Sequence, residues 1–482
     1  MKKLIKTTVS IGATEIVLVL VAIVKNKYLA LTVGVEGLGI FGLIQSFFNI
    51  FIIFAGYWLA TGVTKYTSEF NKKNNIFENR KIFSFSITIT LFISLFLCII
   101  FIILETFIRT NFLSDKILRE YFILYSCAFV GTSLRPIFLS SLQGLMKFRS
   151  IIIARISISI VEILLIIIFV FFLDLRGFFI SIFLTSIFST AIFLFQFKNT
   201  GLTNFVIPRF TGINIYKKLL NYGLYAILSG FVYYASEFII RKIVLINLGL
   251  SYVGLLFALY GLMHFAGVIR RGALFYLFPK ISTGINNTKK QTEINNYLFM
   301  VQLTSVPILL GTILFGYIII ELFYSSDFIL IKPVIFWFMI NVFISNILAG
   351  FQSTLISINS LKKHLLFVTI MSLCNVIIPL LLISTYQLHA VGIGLLISSI
   401  LGTLLYYHAL TKKINFKIDF RNTLIMIIGI FILGCTPIIV EKTTFVKIIY
   451  FLTTCSMLII FINSMEWQAI FKLIKNLMDN DR

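Results

Sequence analysis

The chain is short of charge. Only 12% of its 482 residues are Asp, Glu, Lys or Arg, while 59% are apolar, a balance that no water-soluble domain of this size matches. Acids are the scarcest group, 18 against 41 Lys and Arg, for a formal net charge of +23. The basic excess is scattered through short joints between apolar runs, as in the positive-inside pattern of membrane proteins, and forms no patch of the kind that binds nucleic acid. Five cysteines are present (Cys98, Cys127, Cys374, Cys435 and Cys455), all within apolar runs. They read as core-filling thiols, with no disulfide or metal chemistry. There are four histidines, no HExxH, no nucleotide-binding glycine loop and no DxD pair at a membrane face. No catalysis, cofactor or metal is therefore expected. No joint is long enough to be the extracytoplasmic loop expected of a polymerase or ligase acting on lipid-linked sugars.

What the sequence does have is apolar runs of spanning length, about 20 residues each. Fourteen occur, near 7–31, 38–62, 82–104, 119–145, 150–173, 177–197, 218–246, 252–277, 297–322, 333–358, 365–386, 390–410, 424–440 and 445–464. They predict an all-α polytopic membrane protein. The first run follows a basic start but carries Glu15 and no small-residue cleavage site, so it reads as a retained helix. Joints rich in Lys and Arg alternate with mixed or acidic ones, which predicts that both termini are cytoplasmic.

The first six runs recur. LTVGVEGLGIFGLIQS from Leu31 aligns with INLGLSYVGLLFALYG from Ile246 (246 − 31 = 215), and the same offset pairs Gly34 with Gly249, Gly39 with Gly254, Lys65 with Lys280, Lys147 with Lys362 and Gly177 with Gly392. A constant offset predicts two homologous six-helix lobes, residues 1–197 and 218–411. They are joined by a cytoplasmic linker, 198–217, and followed by two further spans and a tail, 412–482. Parallel repeats of this kind are usual in transporters that hold substrate between halves and rock them.

Charges inside spans are costly and mark partners or water-filled cavities. In YYASEFIIRKIVL (Tyr233 to Leu245), Glu237 and Arg241 are four apart on one helix face, and Lys242 maps onto Lys27 through the repeat. Such cations suit phosphate, with Arg gripping oxygens in bidentate fashion and Lys acting as a point charge. The bland alternative is that Lys25, Lys27 and Lys242 snorkel to headgroups, and for Lys25 it is favoured. Glu15 and Glu237 are candidates for proton or sodium coupling, Glu237 equally for a structural partner of Arg241. Tyr260, His264, Gly267 and Arg271, with Arg270 beside them, form a stripe in the eighth run. Arg155, Ser159 and Glu162 in the fifth read as a polar seam or a site, and Asn341, Ser345 and Gln352 in the tenth as helix glue more than sugar contacts.

GVEGLGIFGLIQSF (Gly34 to Phe47), GVTKYTSEF (Gly62 to Phe70), RKIVL (Arg241 to Leu245) and LFPKIS (Leu277 to Ser282) resemble the polysaccharide transporter, or O-antigen flippase, family of the multidrug/oligosaccharidyl-lipid/polysaccharide (MOP) exporter superfamily. The resemblance covers the first twelve spans. It implies a V-shaped pair of lobes that moves an undecaprenyl-diphosphate-linked oligosaccharide from the inner to the outer leaflet of a bacterial cytoplasmic membrane, among membrane lipids and alongside polysaccharide polymerase machinery. It implies phosphate contacts at Arg241 and Lys242, and further ones at Lys27 and Arg271; Arg270, beside Arg271 in the eighth run, is the fifth candidate contact. The thirteenth and fourteenth spans resemble those of longer members such as the lipid II flippase. A drug or cation exporter of the same superfamily is the alternative, and a membrane scaffold a third.

Overall fold

A computed structural model describes residues 2–200, 213–282 and 286–460, and no strand occurs among them. The first half runs α1 (Lys2–Thr32), α2 (Gly34–Ile52), α3 (Trp58–Lys72), α4 (Ile76–Ile103), α5 (Glu105–Phe112), α6 (Arg119–Gly144) and α7 (Phe148–Phe197). The second runs α8 (Ile213–Leu248), α9 (Leu250–Ala266), α10 (Val268–Ser282), α11 (Asn287–Leu314), α12 (Gly316–Phe323), α13 (Ile335–Ser357), α14 (Leu361–Tyr386) and α15 (Leu388–Ile414). Then come α16 (Phe420–Val440) and α17 (Thr444–Ile460). Most of the predicted linker and the tail beyond residue 460 lie outside the described residues.

Among the described residues, ten helices are long and apolar enough to cross a membrane, or eleven when α9 and α10, bent by 51°, count as one. The fourteen apolar runs divide differently because continuous helix and spanning segment are not the same unit. At about 1.5 Å per residue, the 50 residues of α7 would reach about 75 Å, more than twice a hydrocarbon core of about 30 Å. The chain reverses at Asp174 (φ 46°, ψ −129°), bringing Gly177 so close to Phe169 that a Cβ on it would lie 1.9 Å from the Phe169 carbonyl oxygen. The run 297–322 differs in the other sense. It breaks at Phe315, and α12 turns off as a short separate helix, as α5 does after Leu104. Large side chains on the outside, among them Phe92, Ile103, Phe171, Phe172 and Phe431, are 70–74% exposed. Such a belt of apolar surface belongs against lipid, and the protein is a multi-pass membrane protein.

Backbone geometry carries the repeat independently of the side chains. Gly34 and Gly249 both open a helix at positive φ (67° and 95°), where the absence of a Cβ relieves the strain. Met146 and Asn359 (57° and 60°) form a second pair, and Asp174 and Gln387 (46° and 47°) a third. The first pair is 215 apart, but the other two are 213 apart (359 − 146 and 387 − 174). The short helices α5 and α12 begin 211 apart (316 − 105). The constant offset is thus corrected: Lys147 stands opposite Ser360, and Lys362 opposite Arg149. Joints absorb insertions that a packed helix core does not.

The two halves meet along α2 and α9. A Cβ on Gly39 would lie 2.5 Å from the Leu250 carbonyl oxygen, and one on Gly254 1.9 Å from that of Val35. Repeat mates touch here: the Ser251 hydroxyl donates to the Glu36 carboxylate at 3.2 Å. The Phe41 and Phe257 rings meet edge to face, centroids 5.4 Å apart. A local twofold axis therefore passes between these helices. Helices α16 and α17 pack on α11, the first through Asn422 Nδ2, which donates to the Asn295 carbonyl at 3.0 Å. For the second, Phe451 reaches to 3.4 Å from where a Cβ on Gly311 would stand.

Candidate functional site

Each half contains a cavity with charged and polar side chains in its wall. In the first half it measures about 580 Å³ and is lined by Lys25, Gln45, Asn49, Arg135, Glu162 and Tyr57 among others, with Tyr234 and Phe257 entering from the second half. The wall is opened by two local irregularities. Ile53–Tyr57 is a wide π-helical turn joining α2 to α3, a feature frequent at functional sites. Pro136 lies inside α6 and has no N–H to give the Thr132 carbonyl four residues back. Lys25 Nζ is 2.9 Å from Glu162 Oε1, each side chain more than a quarter exposed. Arg135 donates from Nε to Ser189 Oγ at 2.9 Å and from Nη2 to the Thr185 carbonyl at 3.4 Å. Both of its partners are neutral.

In the second half the cavity is about 400 Å³ and is lined by Glu237, Tyr260, His264, Arg270, Asn341 and Asn375, with serines 345, 398 and 399. Asn49 and His264 are repeat mates, and so are Glu162 and Asn375, so the duplication placed both cavities at one level of the fold. A third space of about 340 Å³ shares Tyr57 and Tyr234 with the first cavity and Tyr233, Gln352 and Asn375 with the second. Residues of both halves thus line this third space between the two cavities.

The charges singled out in the sequence separate into three groups. Arg241 is 6% exposed. Its Nη1 donates to the Glu237 carbonyl at 3.2 Å and lies 3.7 Å from that residue's carboxylate, and its guanidinium stands 5.0 Å from the Tyr260 ring centroid. Tyr233 also donates to Glu237, at 3.0 Å. Lys27 and Lys242 form the second group and reach across the halves: Lys27 donates to the Glu321 carbonyl in α12 at 2.5 Å, and Lys242 to the Leu113 carbonyl at the end of α5 at 2.8 Å. Each repeat-mate lysine therefore caps the C-terminal turn of the other half's short helix, where carbonyls lack partners and the helix dipole is negative.

Glu15 belongs to the third group. It pairs with Arg155 of its own half and, at 3.7 Å, with Arg271 of the other, whose Nη1 also donates to the His264 carbonyl at 2.8 Å. This bridge between halves lies about 18 Å along α1 from Lys27, twelve residues at about 1.5 Å each. With the two guanidinia 33% and 38% exposed, its strength is nearer the range of about 0–1 kcal/mol of surface pairs than that of buried ones. Glu15→Gln is accordingly expected to leave the fold intact and loosen the halves locally, seen as faster hydrogen exchange in α1 and α10. Unchanged exchange would show that the bridge does not hold them.

Of the five cations expected to contact phosphate, Arg270 is the one that lines either of the two cavities described above, and among the described residues neither it nor Arg135 has a carboxylate within ion-pairing distance. Arg135 escaped notice in the sequence although it stands mid-run in SLRP, where the cost of a buried charge was the available signal. The stripe Arg155, Ser159, Glu162 is split by the fold, Arg155 going to Glu15 and Glu162 to Lys25. Among the described residues no group of three His, Cys, Asp or Glu could hold a metal.

No protein-family model matches the chain, and no curated protein sequence matches it. Solved structures do. The lipid II flippase MurJ in an inward closed conformation aligns over 97% of this chain and 100% of its own, with 16% identity and a TM-score of 0.73. An outward-facing multidrug resistance MATE family transporter of the MOP superfamily aligns over 86% and 96%, with 15% identity and a TM-score of 0.69. A MOP superfamily transporter from Pyrococcus furiosus aligns over 92% and 97%, with 15% identity and a TM-score of 0.66. At such identities the likeness is one of fold, and the fold of this chain is the all-helical, polytopic one of MOP superfamily transporters and flippases.

Proposed function

We propose that the protein is a flippase for an undecaprenyl-diphosphate-linked oligosaccharide, carried from the inner to the outer leaflet of the cytoplasmic membrane for surface polysaccharide synthesis, with both chain termini on the cytoplasmic side. One observation carries the reading. Each cavity acid already has a cation of its own, Lys25 for Glu162 and Arg241 for Glu237, so the charges left over are Arg135 and Arg270, one per half. A surplus of guanidinium in both halves suits a diphosphate, whose oxygens accept two parallel N–H bonds from each fork. An exporter of cationic drugs would want the surplus to be acidic. The charge distribution also supports a lipid-linked diphosphate as the cargo class in common with the lipid II flippase. Glu237 and Glu15, each held by arginine, serve conformation in this scheme, and any coupling ion acts through those bridges.

Removing one charged hydrogen-bond donor typically costs about 1.5–3 kcal/mol, or roughly ten- to hundredfold in affinity. Arg135→Ala and Arg270→Ala are each expected to weaken binding of undecaprenyl diphosphate to that degree and to abolish surface glycan at normal membrane protein level. The lysine variants are expected to recover part of the binding as point charges. Normal surface glycan in the double alanine variant, or transport of a cationic dye by the wild-type protein, would overturn the assignment.

A further inference from the structure

The cavity of the second half differs from its duplicate in one respect that the cation surplus does not explain. At the positions where the first half carries the ion pair Lys25 and Glu162, the second carries Ile240 and Asn375, their repeat mates, and both of these line its cavity. The wall around Asn375 is neutral and dense in hydrogen-bonding groups. Ser399 donates to Asn341 Oδ1 at 2.5 Å and Ser345 to the same oxygen at 3.3 Å, with the two hydroxyls 3.1 Å apart. Two donors thus converge on one amide oxygen, and Asn341 Nδ2 makes no hydrogen bond among the described residues. Asn375 Oδ1 and the Tyr260 hydroxyl are buried without a partner.

Polar groups that only join helices are closed on one another and satisfied. These residues border an open volume of about 400 Å³, within the range of about 300–1,000 Å³ usual for small-molecule sites, and Asn341 Nδ2 is left as a donor. The same cavity is also lined by Tyr233, Tyr260, Glu237, His264 and Arg270. Neutral amide and hydroxyl groups in one cavity with aromatic rings are the surroundings that a ring of hydroxyls requires.

We propose that this cavity is a carbohydrate subsite: Arg270 holds the diphosphate, and the wall of Asn341, Ser345, Asn375 and Ser399 holds the first sugar attached to it. The inference rests on the lipid-linked diphosphate reading and adds where in the protein the saccharide sits. Asn341 is then a specificity residue for the glycosylated form, and Arg135 in the other half, whose cavity also holds the ion pair of Lys25 and Glu162, contacts only the phosphate.

The test is binding of defined probes to the full-length protein in nanodiscs: undecaprenyl diphosphate, and the same lipid carrying one N-acetylglucosamine, N-acetylgalactosamine, glucose or galactose. At least one glycosylated probe is expected to bind about tenfold more tightly than the bare lipid, as two or three net hydrogen bonds would give. Asn341→Leu, similar in volume, is expected to remove that gain and leave the bare lipid bound as before, which also shows that the variant is folded. Ser399→Ala, the milder change, is expected to reduce the gain in part. Equal binding of bare and glycosylated lipids by wild type, or equal weakening of both by Asn341→Leu, would overturn the subsite alone. Failure of wild type to bind undecaprenyl diphosphate at all would overturn the proposed function and this subsite with it.

Discussion

Gly254→Ala is expected to cost the protein most of its properly folded population. The added Cβ would stand 1.9 Å from the carbonyl oxygen of Val35, and an oxygen of helix backbone has no rotamer to move into. Relief requires α9 to shift against α2, and the two helices are held there by Gly39, where a Cβ would lie 2.5 Å from the Leu250 carbonyl oxygen, and by the Phe41 and Phe257 pair. Overpacking typically costs about 1–3 kcal/mol, and a clash of backbone with Cβ across an interface belongs at the upper end or above. Gly434→Ala is the internal control, since a Cβ there meets nothing within 4 Å. Size-exclusion profiles of solubilised protein after graded heating are expected to show Gly254→Ala aggregating early and Gly434→Ala matching wild type. Equal profiles would mean that the α2 and α9 crossing is not the joint between the halves.

Lys27→Met and Lys242→Met together are expected to open the end of the molecule that carries α5 and α12. Each lysine ties its own half to the other half's short helix through a carbonyl with no intrahelical donor, so losing both removes two cross-links at this end. At about 1 kcal/mol for each hydrogen bond, the double variant is expected to shift the open-to-closed ratio by roughly tenfold or more. Spin labels at Phe107 and Tyr317, both exposed on the short helices, report the separation directly. A longer-distance population that grows from single to double variant is the expected result, and distributions identical to wild type would show the lysines to be anchored to headgroups in function. The bridge at Glu15 is one ionic cluster with half-open partners, whereas this end combines backbone contact, aromatic packing and two caps.

The apolar runs were legible because spanning length and hydropathy are properties of consecutive residues, and even the turn inside α7 was anticipated by Asp174 and Arg176 between two runs. The repeat was legible up to the joints, where α5 and α12 shift its register by a few residues. The stretch from Tyr233 to Leu245 shows the limit. Its repeat mate Lys27 could be found by counting, but counting could not show that Lys27 and Lys242 swap partners across the halves, or that Arg241 turns inward onto Glu237 and Tyr260.

From the sequence alone came the class of molecule, the expectation of a two-lobed duplication and the short roster of intramembrane charges, because each follows from local composition or from a fixed spacing. Which of those charges remain available to a ligand was decided only by the tertiary structure. Lys25 meets Glu162 across 137 positions, Arg155 meets Glu15 across 140 and Lys27 meets the backbone carbonyl of Glu321 across 294. The work an ion does in a low-dielectric interior depends on its nearest counter-charge, and that neighbour is a property of the folded chain.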